Sequence, residues 1–157
     1  MLPLARILCP IDFSEPSYAA LAVAEELAEH FDASLVVLHV VDEIPLATAA
    51  TPARSPASSS LGDFDIHAYR SAVREHGVTL LHEALADRIT RPVRIREHVA
   101  EGNAADVIVE LAEQESADVV VIASRGLTGV KRLLFGSVAE KVVRTADCPV
   151  LTIPVHD

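Results

Sequence analysis

The chain has 157 residues, half of them apolar, only six of them Phe or Tyr and none Trp, with a formal net charge of −10. That length suits a single domain, 1–157, able to bury roughly 68–70% of its unfolded surface, with a core built from Ala, Val, Leu and Ile. The negative balance argues against a nucleic-acid or membrane-surface binder, because phosphate backbones and anionic lipids are drawn to basic faces, and no apolar run reaches the ~18 residues of a membrane span.

Residues Ala5–Ile11 read as a buried strand, ended by Asp12-Phe13-Ser14, with Ser14 as N-cap and Pro16 in the first turn of a helix to about Phe31. The near-continuous apolar run from Ser34 to Val41 predicts a central strand covered on both faces. Residues 42–63, with Pro45, Pro52, Pro56 and Gly62, predict a mobile loop, followed by a helical pattern from about Phe64 to Thr90. Pro92–Val99 alternates, with Val93, Ile95 and Val99 on one face and Arg94, Arg96 and His98 on the other, which suits an edge strand. Asn103 caps a helix to about Glu115, and Ala117–Ala123 is another buried strand. Ser137 opens a helix to about Thr145, and Pro149–Pro154 is the last strand.

Strands alternating with helices imply parallel pairing with right-handed crossovers. The expected fold is α/β: a single doubly wound five-stranded parallel sheet in the order 3-2-1-4-5, with helices on both faces. In that order the direction of progress reverses beside strand 1, so a ligand crevice belongs at the carboxyl ends of strands 1 and 4. Those ends are Asp12 and the loop that starts at Ser124.

The same loop carries the chemistry. From Ile122 to Ala146 five cations (Arg125, Lys131, Arg132, Lys141, Arg144) face one anion (Glu140), against the acidic background of the rest. A strand, a glycine-punctuated loop and a Ser-opened helix place backbone N–H groups and a helix N-terminus around one concavity, which attracts an anion. Simpler roles also suit these residues. Ser137-Val-Ala-Glu140 is a capping box in its own right, Asp12 could cap the first helix or orient Ser14, and Lys131 and Arg132 suit a solvated face. Arg125 is the better phosphate candidate. His39 sits mid-strand, where a hydrogen-bonded core histidine is expected, and the seven histidines show no metal-ligand spacing. Cys9 and Cys148 read as buried thiols, and Met1-Leu-Pro-Leu-Ala-Arg lacks a signal-peptide stretch, so a cytoplasmic location is expected.

Pro10-Ile-Asp12-Phe-Ser14, Leu38-His39-Val40, Gly102-Asn-Ala-Ala and the block from Ser124-Arg-Gly126 to Gly136-Ser137 together resemble the universal stress protein family across essentially the whole chain. Members that bind ATP carry G-x2-G-x9-G followed by Ser or Thr, which maps onto Ala123-x2-Gly126-x9-Gly136-Ser137, with Ala in place of the first Gly. The resemblance implies that Gly126, Gly136, Ser137 and the N–H of Val138 hold phosphates, while Ile11, Asp12 and Val40 line an adenosine pocket. Pro10, Ala123, Ser124 and Arg125 complete the candidate site. It also implies ATP as ligand, with Mg or Mn held mainly by the phosphates, and a homodimer through the last strand, 149–154. Slow hydrolysis at most is expected, since Asp12 is the one obvious candidate in the crevice for chemistry on a phosphate. Two alternatives stand beside this reading. A related adenine-nucleotide enzyme would carry signatures after strand 1 that are missing here, and a member without ligand, acting by dimerisation alone, finds its support in Ala123.

Overall fold

The computed structural model describes residues 4–42, 65–125 and 136–154. The elements run β1 (Arg6–Pro10), α1 (Glu15–Phe31), β2 (Ser34–Val41), α2 (Ile66–Arg88), β3 (Arg94–Glu101), α3 (Ala104–Gln114), β4 (Val119–Ala123), α4 (Ser137–Thr145) and β5 (Val150–Ile153). All strand pairs are parallel, in the order β3-β2-β1-β4-β5, as expected from the alternation of strands and helices.

Residue parity sorts the core into two layers. Ile7, Cys9, Leu35, Val37, Val119 and Val121 pack with Ala20, Leu21, Ala24 and Ala28 of α1 and with Leu81 and Leu85 of α2. Their even-numbered neighbours Leu8, Val36, Leu38, Val120 and Ile122 pack instead with Ile108, Leu111 and Ala112 of α3 and with Ala139 and Val142 of α4. Successive side chains of a strand point to opposite faces, so a strand apolar at every position is one sandwiched between helices. The edge strand β3 has the opposite character. Ile95 and Val99 pack on the α1/α2 side, while Arg96 and His98 meet Glu115 on the other.

The ends of the elements shift for identifiable reasons. The strand expected at Pro92–Val99 lies two residues further on, because β2 continues to Val41 and its ladder carries β3 to Glu101. The turn then closes at Gly102, whose φ of +144° suits glycine and whose N–H donates to the Val41 carbonyl at 3.0 Å. β4 starts at Val119 rather than Ala117, since the Ala117 N–H closes the end of α3 on the Ala112 carbonyl. Asp118 is occupied as well: its carboxylate accepts from the N–H groups of Ala5 and Arg6 at 2.7 and 2.8 Å, fixing the entry to β1. Helix α2 ends at Arg88 because the next free N–H groups, of Thr90 and Arg91, turn to the carboxylate of Glu25.

Cys9 is fully buried, and burial pushes its thiol up to about 12. Cys148 departs from expectation: it is only half-buried, because it lies in the connection before the edge strand β5 rather than inside the sheet. The residues expected to form a mobile loop, beyond Asp42, lie outside the described residues.

Candidate functional site

A cleft of about 340 Å³ opens at the carboxyl edge of the sheet, where the strand order reverses between β1 and β4. Its base is formed by the residues that leave these two strands, Pro10, Ile11 and Asp12 from β1 and Ala123, Ser124 and Arg125 from β4. Leu38, His39, Val40 and Asp42 enter from β2, and Gly136, Ser137, Val138 and Ala139 from the start of α4. The structure thus brings together every candidate residue that it describes. Gly126 lies outside the described residues, as do Lys131 and Arg132.

The lining also includes residues outside the candidate set, among them Leu38, His39, Ile122 and Ala139 beside candidate neighbours, and three groups from other positions. Ala104 and Ile108 form a wall from α3, Ser17 reaches the cleft from α1, and Asp42 stands where β2 ends. The first was within reach of the sequence, since in a parallel α/β sheet every helix that follows a strand starts at the same, carboxyl edge.

The turn after β1 is held by a compact polar network. Asp12 Oδ1 accepts from the Ser14 N–H at 3.1 Å and from the Ser14 hydroxyl, and Ser14 in turn accepts from the Ser17 N–H at 3.3 Å as the N-cap of α1. The simpler role of Asp12, orienting Ser14, is therefore present, and it coexists with a place in the cleft. Between them Phe13 adopts a left-handed backbone, φ +64°, a conformation rare for a bulky side chain. Its ring lies 4.3 Å from that of His39, whose Nδ1 sits 3.0 Å from the Ile11 carbonyl. A carbonyl only accepts, so Nδ1 carries the proton and His39 is the hydrogen-bonded strand histidine expected.

On the other side Ser124 ties three elements together. Its N–H donates to the Ile153 carbonyl of β5 at 2.9 Å, and its carbonyl accepts from the Gly136 N–H at 2.7 Å. The N-cap of α4 is Gly136, not Ser137, so the cap residue makes no side-chain hydrogen bond to the first turn. The capping box is therefore not formed: Ser137 is the first helical residue, and the Glu140 carboxylate pairs with Arg144 at 3.3 Å. The Gly136 N–H is spent on Ser124, so the N–H groups left without an intrahelical partner start at Ser137 and Val138. Of the other local cations, Lys141 pairs with Asp106 at 2.7 Å and Arg144 with Glu140. Arg125 lines the cleft, and its buried Nε has no hydrogen-bond partner among the described residues.

Ala123 is the last residue of β4, in register with Ile153. Its backbone is extended and not among the left-handed residues, so replacing glycine by alanine there strains nothing. Among the described residues no group of three His, Cys, Asp or Glu could hold a metal ion, and no helix is long and apolar enough to cross a membrane.

The cleft is thus two-sided: Leu38, Val40, Ile108 and Ile122 offer an apolar slot, and Arg125, Ser137 and the first turn of α4 a place for negative charge. The sequence profile of the universal stress protein family matches residues 4–154. The universal stress protein MJ0531 of Methanocaldococcus jannaschii is 34% identical over 148 residues, covering 94% of this chain and 81% of that protein. A solved protein of the universal stress protein family from Burkholderia pseudomallei superposes with a TM-score of 0.68 at 29% identity, covering 99% of both chains. A universal stress protein solved in complex with cAMP shares the fold with a TM-score of 0.68 at 23% identity, covering 97% of this chain and 98% of that one.

Proposed function

This chain belongs to the universal stress protein family, and from that premise we propose that it is an ATP-binding regulatory module acting as a homodimer. The observation that carries the proposal is the two-sided cleft at the strand-order reversal. Adenine fits the slot between Val40 and Ile108, Asp12 supplies an acceptor for the ribose hydroxyls, and the phosphates lie against Ser137, the Val138 N–H and Arg125. Gly126 would join them by the family pattern. Mg or Mn would arrive with the phosphates and be held mainly by them. The complex of one universal stress protein with cAMP supports an adenine nucleotide as the ligand class.

Thermal melting with ATP and Mg²⁺ tests the proposal. At ligand about 100-fold above its dissociation constant, linkage contributes about 2.7 kcal/mol, and at roughly 2–4 °C per kcal/mol the protein should melt about 5–10 °C higher. The absence of any shift at millimolar ATP, together with no nucleotide in the purified protein, would sink the idea.

The dimer rests on the contrast between the two sheet edges. β5 is an edge strand, and its Leu151 is 40% exposed although apolar; an uncovered strand of that kind invites pairing. The opposite edge, β3, is guarded by Arg94 and Arg96, which are engaged with Asp32 and Glu115. Light scattering should give a mass of two chains, and Leu151→Lys or Ile153→Lys should move it towards one. A wild-type protein that stays monomeric at high micromolar concentration would refute the pairing.

A further inference from the structure

One side chain grips the backbone on both sides of Asp12. Ile11 follows the last residue of β1, and its N–H still donates to the Leu38 carbonyl at 2.8 Å, but its own carbonyl turns to a side chain, the Nδ1–H of His39 at 3.0 Å. Two residues on, the Phe13 ring rests on the same imidazole, with ring centroids 4.3 Å apart. Phe13 holds a left-handed backbone, φ +64°, which a bulky residue keeps only where its surroundings impose it. The opposite edge of the imidazole is closed by α2, where a Cβ placed on Gly77 would lie 3.6 Å from His39 Cδ2. Moving the main chain of Asp12 therefore means breaking the hydrogen bond to Ile11 or the ring contact with Phe13.

Resting on the nucleotide reading above, we infer that His39 is a positioning residue: it fixes the turn that carries Asp12, and with it the acceptor for the ribose hydroxyls, before the ligand arrives. The contacts with Ser14 orient the carboxylate, and His39 holds the main chain beneath it from β2, a strand inside the sheet. An acceptor already in place loses less freedom when the ligand binds, and that difference appears as affinity. The chemistry of the contact fixes what a substitute must supply. A carbonyl only accepts, so an N–H is needed at the place of Nδ1; Asn offers one there, whereas Phe keeps a ring against Phe13 without any donor. His39 also lines the cleft, so a direct contact with the ligand is the rival reading, and it makes a different prediction.

Calorimetric titration with ATP of wild type, His39→Phe, His39→Asn, Asp12→Ala and the double variant His39→Phe/Asp12→Ala tests this. His39→Phe should bind ATP about 5- to 20-fold more weakly, the effect of one lost hydrogen bond, and His39→Asn should recover most of that affinity by restoring the donor. Because His39 acts through Asp12, the double variant should be no more than about twofold weaker than the weaker of the two single variants, whereas groups that act independently multiply their losses. The inference is overturned if either His39→Phe or Asp12→Ala binds ATP as wild type does, if His39→Asn is no better than His39→Phe, or if the two single losses multiply in the double variant, the result expected of direct contact or of a general loss of packing. Should His39→Phe fail to fold, His39→Gln takes its place, since its amide lies one bond too far out to replace Nδ1. A wild type that does not bind ATP overturns the proposed function and this inference with it, whereas wild-type binding with unaltered variants overturns the inference alone.

Discussion

Gly136→Asp is expected to abolish the ATP-induced rise in melting temperature while leaving the ligand-free protein at least as stable as wild type. Gly136 is the N-cap of α4, with φ −72° and ψ 157°, an extended conformation that any residue adopts, and it makes no side-chain cap hydrogen bond. Aspartate is among the best N-caps, accepting from the N–H of the second or third helical residue, and such a cap contributes about 1 kcal/mol. Those N–H groups belong to Val138 and Ala139, and the first of them is assigned to the phosphate. The variant therefore supplies its own anion in the ligand's place and adds like-charge repulsion against any phosphate that approaches. Gly136→Ser separates the two effects, since it caps without charge and should keep part of the shift. Calorimetry checks the outcome: an unchanged ATP affinity in folded Gly136→Asp protein would move the phosphates away from α4.

The strand order and the position of the cleft were legible because they depend on features that sequence carries strongly. The runs Leu35–Leu38 and Val119–Ala123 are apolar at successive positions, as a strand covered on both faces needs. Ser14 and Asn103 were readable as caps because each stands immediately before a helical pattern, and each does accept an N–H of its own first turn. Boundaries set by long-range partners were not legible. Nothing near Ala117 announces that its N–H closes α3, and nothing near Val99 shows that β2 runs on far enough to draw β3 to Glu101.

The start of α4 differs by one residue from the capping box that its sequence spells, and the cause is local. Ser137-Val-Ala-Glu140 has the spacing of a capping box, but the Gly136 N–H turns to the Ser124 carbonyl and the Gly136 carbonyl accepts the first helical bond, from Glu140. That moves the helix start forward by one residue and makes Ser137 part of the first turn. The family pattern located Gly136 and Ser137 without distinguishing cap from helix, because both arrangements place a hydroxyl and free N–H groups at the same corner. Asp42 was missed because it reads as the start of a loop, although it directly follows a strand whose end borders the cleft.

Glu25 is the largest surprise in the core, and removing it should have the largest effect on stability. The buried stripe of α1 runs Ser17, Ala20, Leu21, Ala24, Glu25, Ala28, and Glu25 is only 4% exposed. Its place on that stripe, at the 3–4 residue spacing of the alanines, was a signal that an acid would lie inside. The carboxylate accepts the N–H groups of Thr90 and Arg91 at 2.7 and 2.6 Å, and the Thr90 hydroxyl at 3.4 Å. It thereby acts as the acceptor for the connection between α2 and β3, while the Arg91 side chain reaches back to Glu26 and Glu29 on the exposed side of the same helix. Glu25→Ala leaves two N–H groups without an acceptor, at about 1–3 kcal/mol each when buried. As the site is part-buried and water can reach some of it, the expected loss is about 2–4 kcal/mol, roughly 4–16 °C in melting temperature. Glu25→Gln keeps an oxygen in place and should cost less, because it exchanges charge-assisted hydrogen bonds for neutral ones. Glu25→Leu restores volume but no acceptor, so it should resemble Ala. Urea unfolding followed by circular dichroism ranks the three, and a Glu25→Leu protein as stable as wild type would show that filling the space, not accepting these hydrogen bonds, is what Glu25 contributes.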